Sequence, residues 1–192
     1  ITLIVLGIGL ATTAISTAFG IAMGPKLWIS VQQKRMIYLM NDLQNHYIVC
    51  GYGRIGRQII RDLQARNEQF VLVDSNPDLE ESLLETRIPV LIGDATRDEV
   101  LIQAGVERAR GLVSALSSDP DNLMTVLTAR GLNPGLFITA RVIYAEAESK
   151  LRRAGANRVI NPYQIGGHRM ALSLLRPAVD DFLELIFHFG EG

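Results

Sequence analysis

Gly51-Tyr52-Gly53-Arg54-Ile55-Gly56 sets three glycines at the spacing GxGxxG, and Asp74 follows eighteen residues after the last of them. Such a loop suits a dinucleotide. The first glycine permits a tight turn, the second lets a diphosphate approach the main chain, and the third lets helix and strand pack closely. The N–H groups that open the following helix carry a partial positive charge for the phosphates. Asp74 is placed to accept hydrogen bonds from ribose hydroxyls. An acid there disfavours a 2′-phosphate, which points to NAD(H) or an adenine nucleotide (ADP or ATP) rather than NADP. The competing reading is a loop that keeps its glycines for packing alone. Tyr52, Arg54 and Ile55 within the loop, and Ser75 beside Asp74, belong to the same candidate site. Arg54 either pairs with a phosphate or is simply solvated. Asp94 and Ala95, in Gly93-Asp94-Ala95-Thr96, either meet an adenine or cap a helix. Arg141 either reaches the phosphates or pairs with an acid.

Other chemistry finds less support. His46, His168 and His188 are scattered without metal-ligand spacing, and Cys50 reads as a core residue within a strand. No Ser/His/Asp, Cys/His or paired-carboxylate set assembles, and neither a substrate domain nor a proton donor for hydride transfer is evident. Neither catalysis nor a bound metal is expected. The 192 residues carry 19 Lys and Arg against 20 Asp and Glu, a net charge of −1, which lacks the basic footprint of a nucleic-acid binder. One cysteine excludes a disulfide framework.

The loop needs a strand before it and a helix after it, and the pattern supplies both. Apolar β-rich runs at 46–51, 69–74, 89–94, 111–116, 136–142 and 157–161 alternate with helix-like stretches at 55–66, 76–86, 98–104, 119–130 and 145–154. The helix at 119–130 opens on Asp-Pro-Asp, expected to be its cap and first turn. Continuous apolar strands between amphipathic helices predict an α/β fold, a doubly wound parallel six-stranded sheet of Rossmann type. Residues 165–187 carry a further amphipathic helix, which Pro177 should kink or split. With six strands complete it has no strand to return to, so it is expected to pack on a partner.

The first residues are a different material. No charge occurs before Lys26, and residues 1–23 hold only Ser and Thr as polar side chains. As a helix this stretch is about 35 Å long, enough to cross a bilayer core of about 30 Å. Lys26, Lys34 and Arg35 put its C-terminal side in the cytoplasm by the positive-inside bias. A signal peptide and a buried core helix are the rivals. The expected domains are a transmembrane helix at 1–24, a linker at 25–45, a nucleotide-binding lobe at 46–164 and a crossover helix at 165–192. The opening on Ile1 and the close on Glu191-Gly192 suggest a piece of a longer protein.

HYIVCGYGRIG, VLVDSNP, LIGDATRDEVLIQAGV and LRRAGANRVINPYQIGGHRMA together resemble an RCK domain, the regulator-of-conductance module of potassium channels and transporters, from about residue 46 to 186. TLIVLGIG resembles the pore-lining inner helix of two-helix potassium channels. The resemblance implies Gly51, Gly53, Gly56 and Asp74 as nucleotide contacts and Gly7 or Gly9 as an inner-helix hinge. It further implies a last helix that crosses to a neighbour, and homo-oligomers whose lobes form a gating ring beneath a tetrameric pore. Calcium-gated relatives carry acids late in strands four and five, where Ala115, Arg141 and Ile143 stand here. The expected function is a ligand-gated potassium channel subunit in the cell's inner membrane, in contact with lipid and potassium, with its lobe cytoplasmic. A cation/proton exchanger with the same regulatory domain is the first alternative, and a membrane-anchored NAD-dependent dehydrogenase the second.

Overall fold

The computed structural model describes residues 42–83, 86 and 88–179. The predicted membrane helix and nearly all of the linker lie outside these residues, as does the chain beyond 179. No helix among the described residues is long and apolar enough to cross a membrane.

Strand and helix alternate as the hydrophobic pattern requires. β1 (Tyr47–Cys50) leads to α1 (Arg54–Ala65), β2 (Phe70–Asp74) to α2 (Asp78–Ser82), and β3 (Val90–Ile92) to α3 (Asp98–Gln103). A 3₁₀ turn (Val106–Arg108) precedes β4 (Gly111–Ser114), then come α4 (Asp119–Leu132), β5 (Phe137–Arg141), α5 (Ala145–Arg153), β6 (Arg158–Ile160) and α6 (Pro162–Leu175). The strands form one sheet in the order β3-β2-β1-β4-β5-β6, with every pairing parallel. This is the Rossmann order, and its direction reverses between β1 and β4.

Burial explains the pattern. Ile48, Val49, Cys50, Val71, Leu72 and Val73 are fully buried, because β1 and β2 are covered on both faces. On one side Val49, Phe70 and Leu72 pack with Ile60 of α1 and with Leu83 and Ile88. The edge strand β6 is largely exposed, with charge at Arg158.

Three boundaries depart from expectation. The helix predicted over 76–86 is only α2, because Asn76 Oδ1 accepts the Asp78 N–H (3.0 Å) in a local turn before the helix begins. α4 is capped by Ser118, whose Oγ accepts from the Asp121 N–H (3.2 Å) and donates to Asp121 Oδ2 (2.6 Å), so Asp119 is not the cap. The last helix begins at Pro162 rather than 165. Asn161 Oδ1 accepts from the N–H groups of Tyr163 and Gln164, both at 3.1 Å, and Pro162 occupies the first helical position. α6 stops at Leu175, two residues before Pro177, as the split at that proline requires. None of its residues is buried.

Candidate functional site

The parallel ladders run on into the loops that leave the sheet. Gly51 N–H donates to the Val73 carbonyl (2.8 Å), Gly93 N–H to the Asp74 carbonyl (2.9 Å) and Ala115 N–H to the Cys50 carbonyl (2.9 Å). The glycine loop, Asp74, the Gly93–Thr96 turn and the Ala115–Leu116 turn therefore share the C-terminal edge of the sheet. The switch between β1 and β4 opens a crevice there, where such sheets bind ligands.

Each glycine of the loop has a separate role. Gly51 sits at φ +99°, a left-handed conformation, with the Ala115 carbonyl oxygen 3.0 Å from where a Cβ would stand. A Cβ on Gly56 would collide with the Gly51 carbonyl oxygen, so the start of α1 can approach the loop only without a side chain. Gly53 has an ordinary φ of −72° and nothing within 4 Å of its Cβ position, leaving open space above the backbone. It is the N-cap of α1, makes no side-chain cap, and no acid lies in the first turn. The positive end of this twelve-residue helix is bare, as an anion requires.

Asp74 is tied into the same loop. Its Oδ2 accepts the Tyr52 N–H (2.6 Å) and its Oδ1 the Asn76 N–H (2.9 Å). A carboxylate has about four lone-pair positions, so capacity remains for two ribose hydroxyls. Tyr52 stacks under Arg57, whose guanidinium lies 5.1 Å from the ring centroid and donates to the Tyr52 carbonyl (3.1 Å). Arg54, Ser75 and Asp94 are exposed, and Ile55 is half-buried. Arg54 makes no hydrogen bond or ion pair among the described residues.

Asp94 does not cap α3, whose N-cap is Arg97. Its Oδ1 accepts from both the main-chain N–H (2.9 Å) and the hydroxyl (2.7 Å) of Thr96. These bonds hold its carboxyl below the usual carboxylate range, the main-chain bond contributing most. Ala95 is buried. Arg141 pairs with no acid among the described residues. It reaches the Leu116 carbonyl from Nη1 (3.3 Å) and the Tyr163 hydroxyl from Nη2 (3.1 Å). Burial and, to a lesser extent, the Asp74 charge push the Cys50 thiol up to about 12, so it stays protonated and inert. No cluster of three or more His, Cys, Asp or Glu suited to a metal occurs among the described residues.

Sequence reasoning missed Asn122 and gave Asp119 a different role. Asn122, fully buried on α4, accepts from the Ser114 hydroxyl (2.7 Å) and the Leu116 N–H (2.9 Å) through Oδ1, and its Nδ2 donates to the Leu116 carbonyl (3.2 Å). It fixes the far wall of the crevice. Asp119, nearly buried, accepts the N–H groups of Ile143 (2.8 Å) and Tyr144 (2.9 Å) and pins the turn after β5. A polar residue on the core side of a helix is the signal that marks Asn122, but it is legible only once the facing side of α4 is known.

Known proteins match this architecture. A probable potassium channel protein 2 of Methanocaldococcus jannaschii is 43% identical over 156 residues, 80% of this chain and 46% of that protein. The crystal structure of GsuK bound to ADP superposes with a TM-score of 0.63 at 36% identity, covering 68% of this chain and 35% of that one. The GsuK channel bound to NAD superposes with a TM-score of 0.59 at 36% identity, covering 65% and 22%. The chain spans about half the length of the curated relatives it matches. Residues 47–162, more than half of the chain, match the family model of the TrkA-N domain, and the chain belongs to that family.

Proposed function

We propose that this chain is the regulatory part of a ligand-gated potassium channel subunit, with a nucleotide at the C-terminal edge of the sheet as its ligand. The observation that carries the reading is Asp74. Its carboxylate is held by the glycine loop's own Tyr52 N–H and stands beside an uncapped helix start. One group offers acceptors for a ribose, the other donors for a diphosphate, and an open strip over Gly53 joins them.

In this reading the first-turn N–H groups of α1, with Arg54, hold the phosphates. Asp74 takes the ribose hydroxyls, and Ser75 and the Asp94–Ala95 turn flank the base. NAD(H) and adenine nucleotides both fit this donor and acceptor set, and ADP and NAD occupy the GsuK structures. The site works by population shift: the nucleotide must bind the lobe's two states with different affinities, or it gates nothing. The lobe faces the cytoplasm of a membrane-embedded homo-oligomer, and α6 crosses to a neighbouring copy.

Titration of the chain with ADP or NADH tests the site. Asp74→Ala is expected to weaken binding about ten- to a hundredfold, the equivalent of about 1.5–3 kcal/mol for a charge-assisted pair of hydrogen bonds. Equal affinity in variant and parent would remove Asp74 from the site, and absence of any nucleotide binding would overturn the reading.

A further inference from the structure

Arg141 closes β5 with its guanidinium half-buried. It holds two neutral acceptors, the Leu116 carbonyl and the Tyr163 hydroxyl, and lies over the Tyr163 ring at 5.4 Å from its centroid. Its Nε is buried without a partner. A partly buried cation that finds no anion and leaves a donor unpaired calls for an explanation.

The surroundings supply one. Leu116 belongs to the crevice wall: its Cδ2 lies 3.3 Å from the position of a Cβ on Gly51. β4 alone separates β5 from β1, so the end of β5 stands roughly 10 Å from the glycine loop at ordinary strand spacing. An arginine side chain spans most of that gap. A phosphate over the loop would therefore lie within reach of a guanidinium now spent on uncharged oxygens. A phosphate adds the attraction of opposite charges and a bidentate geometry that the two uncharged oxygens lack, so the phosphate wins the exchange.

On its other side Arg141 fastens α6. Tyr163 is in the first turn of that helix. The turn is otherwise tied to the sheet by Asn161 Nδ2 donating to the Ile143 carbonyl (3.2 Å) and by the Val142 N–H on the Ile160 carbonyl (2.8 Å). Both of these ties lie before Pro162 and leave a hinge there.

We propose that Arg141 is a two-position strap that holds Tyr163 of α6 when the crevice is free and is drawn off it by a nucleotide phosphate, so that binding unfastens α6 from the sheet. The inference rests on the nucleotide reading of the crevice and adds the route by which the ligand is felt at α6. Because Arg141 cannot serve both partners, linkage requires that weakening the Tyr163 contact strengthen nucleotide binding.

The test is calorimetric titration of the full chain in detergent with ADP. Tyr163→Leu, at an exposed position, should tighten ADP about three- to tenfold, as loss of one hydrogen bond and one exposed cation–π contact from the free state implies. Tyr163→Phe, which keeps the ring, should fall between the two. In an Arg141→Gln background, Tyr163→Leu should have no effect; Arg141→Lys takes that place if the glutamine variant does not fold. Unchanged or weaker binding by Tyr163→Leu, or equal tightening with and without Arg141, overturns the strap. If ADP binds with the expected Asp74 dependence and no Tyr163 dependence, the strap alone fails. If ADP does not bind the parent, the crevice reading fails and the strap with it.

Discussion

At the scale of single residues, Gly53 and Gly56 separate binding from packing. Gly56→Ala drives a methyl group into the Gly51 carbonyl oxygen, backbone against backbone, and should destabilise the lobe by about 1–3 kcal/mol. Gly53→Ala meets nothing within 4 Å and needs no unusual φ, so its melting temperature should match the parent's. The same methyl stands where a diphosphate would approach, and ADP affinity should fall. A loop kept for packing alone gives the opposite result at Gly53, with affinity unaltered. His46 reports a second effect, at the far edge of the sheet. Its ring is fully buried, Nε2 donates to the Ala104 carbonyl (2.9 Å) and Nδ1 has no partner. Burial chiefly holds its pKa below the ordinary 6.5, with the Arg108 charge adding to the shift and the Ala104 bond opposing it. The folded lobe therefore keeps His46 neutral while the unfolded chain takes up a proton as pH falls below 6.5. Stability should be constant above that value and decline as pH drops from it towards the folded pKa. Urea midpoints measured across that range check the sign, and His46→Gln, which retains the donor to Ala104, should flatten the decline.

At the scale of elements, α6 stands apart. The other helices of the lobe bury at least one residue, except the short α2, whereas α6 buries none over fourteen. Met170 and Leu174 lie one turn apart on one face and are 71% and 83% exposed. A face of this kind on a helix with no strand to return to is expected to be covered by a second copy of the chain. Light scattering should find the parent at least dimeric, and Met170→Glu with Leu174→Glu monomeric. A parent that is already monomeric at about the concentrations used for calorimetry would leave α6 without that role. With the proposed strap at Arg141 and the cap at Asn161 holding its start, α6 would carry a change at the crevice to the face expected to meet a second copy.

At the scale of the whole molecule, the proposed gating needs a mechanical path from the lobe to the membrane helix expected from the sequence at 1–24. The first described residues are hydrogen-bonded to the lobe: Arg108 Nε donates to the Leu43 carbonyl (2.8 Å), and the Asn45 N–H donates to the Arg108 carbonyl (3.0 Å). A long Gly/Ser insertion after Met40 should abolish the effect of nucleotide on potassium flux in liposomes and leave ADP affinity as it is. Moving a channel from 1:99 to 99:1 takes a differential affinity on the order of 5.5 kcal/mol, which several sites in one assembly can share. Regulation that survives the insertion would exclude pulling through the linker. Flux that needs a proton gradient and exchanges ions one for another would make the protein an exchanger.

Amino-acid order alone determined the alternation of six strands with helices, the glycine loop on the first of them, and the acid at the end of the second. Those features are local: a run of β-branched residues, a periodic apolar face, or three glycines at fixed spacing report their structure within a dozen positions. The break of the last helix at Pro177 was legible for the same reason. Tertiary structure decided what depends on contact between distant segments. Ser118 rather than Asp119 caps α4, because the buried turn after β5 claims the Asp119 carboxylate. Asn122 fixes the crevice wall only because α4 turns that side chain towards Leu116. Arg141 could be assigned to a phosphate or an acid from its place at the end of β5, but its bridge from Leu116 to Tyr163 joins residues 25 and 22 positions away. Spacing cannot encode such a meeting, since it exists only once the parallel sheet has brought two separate strand ends and a helix start to one edge.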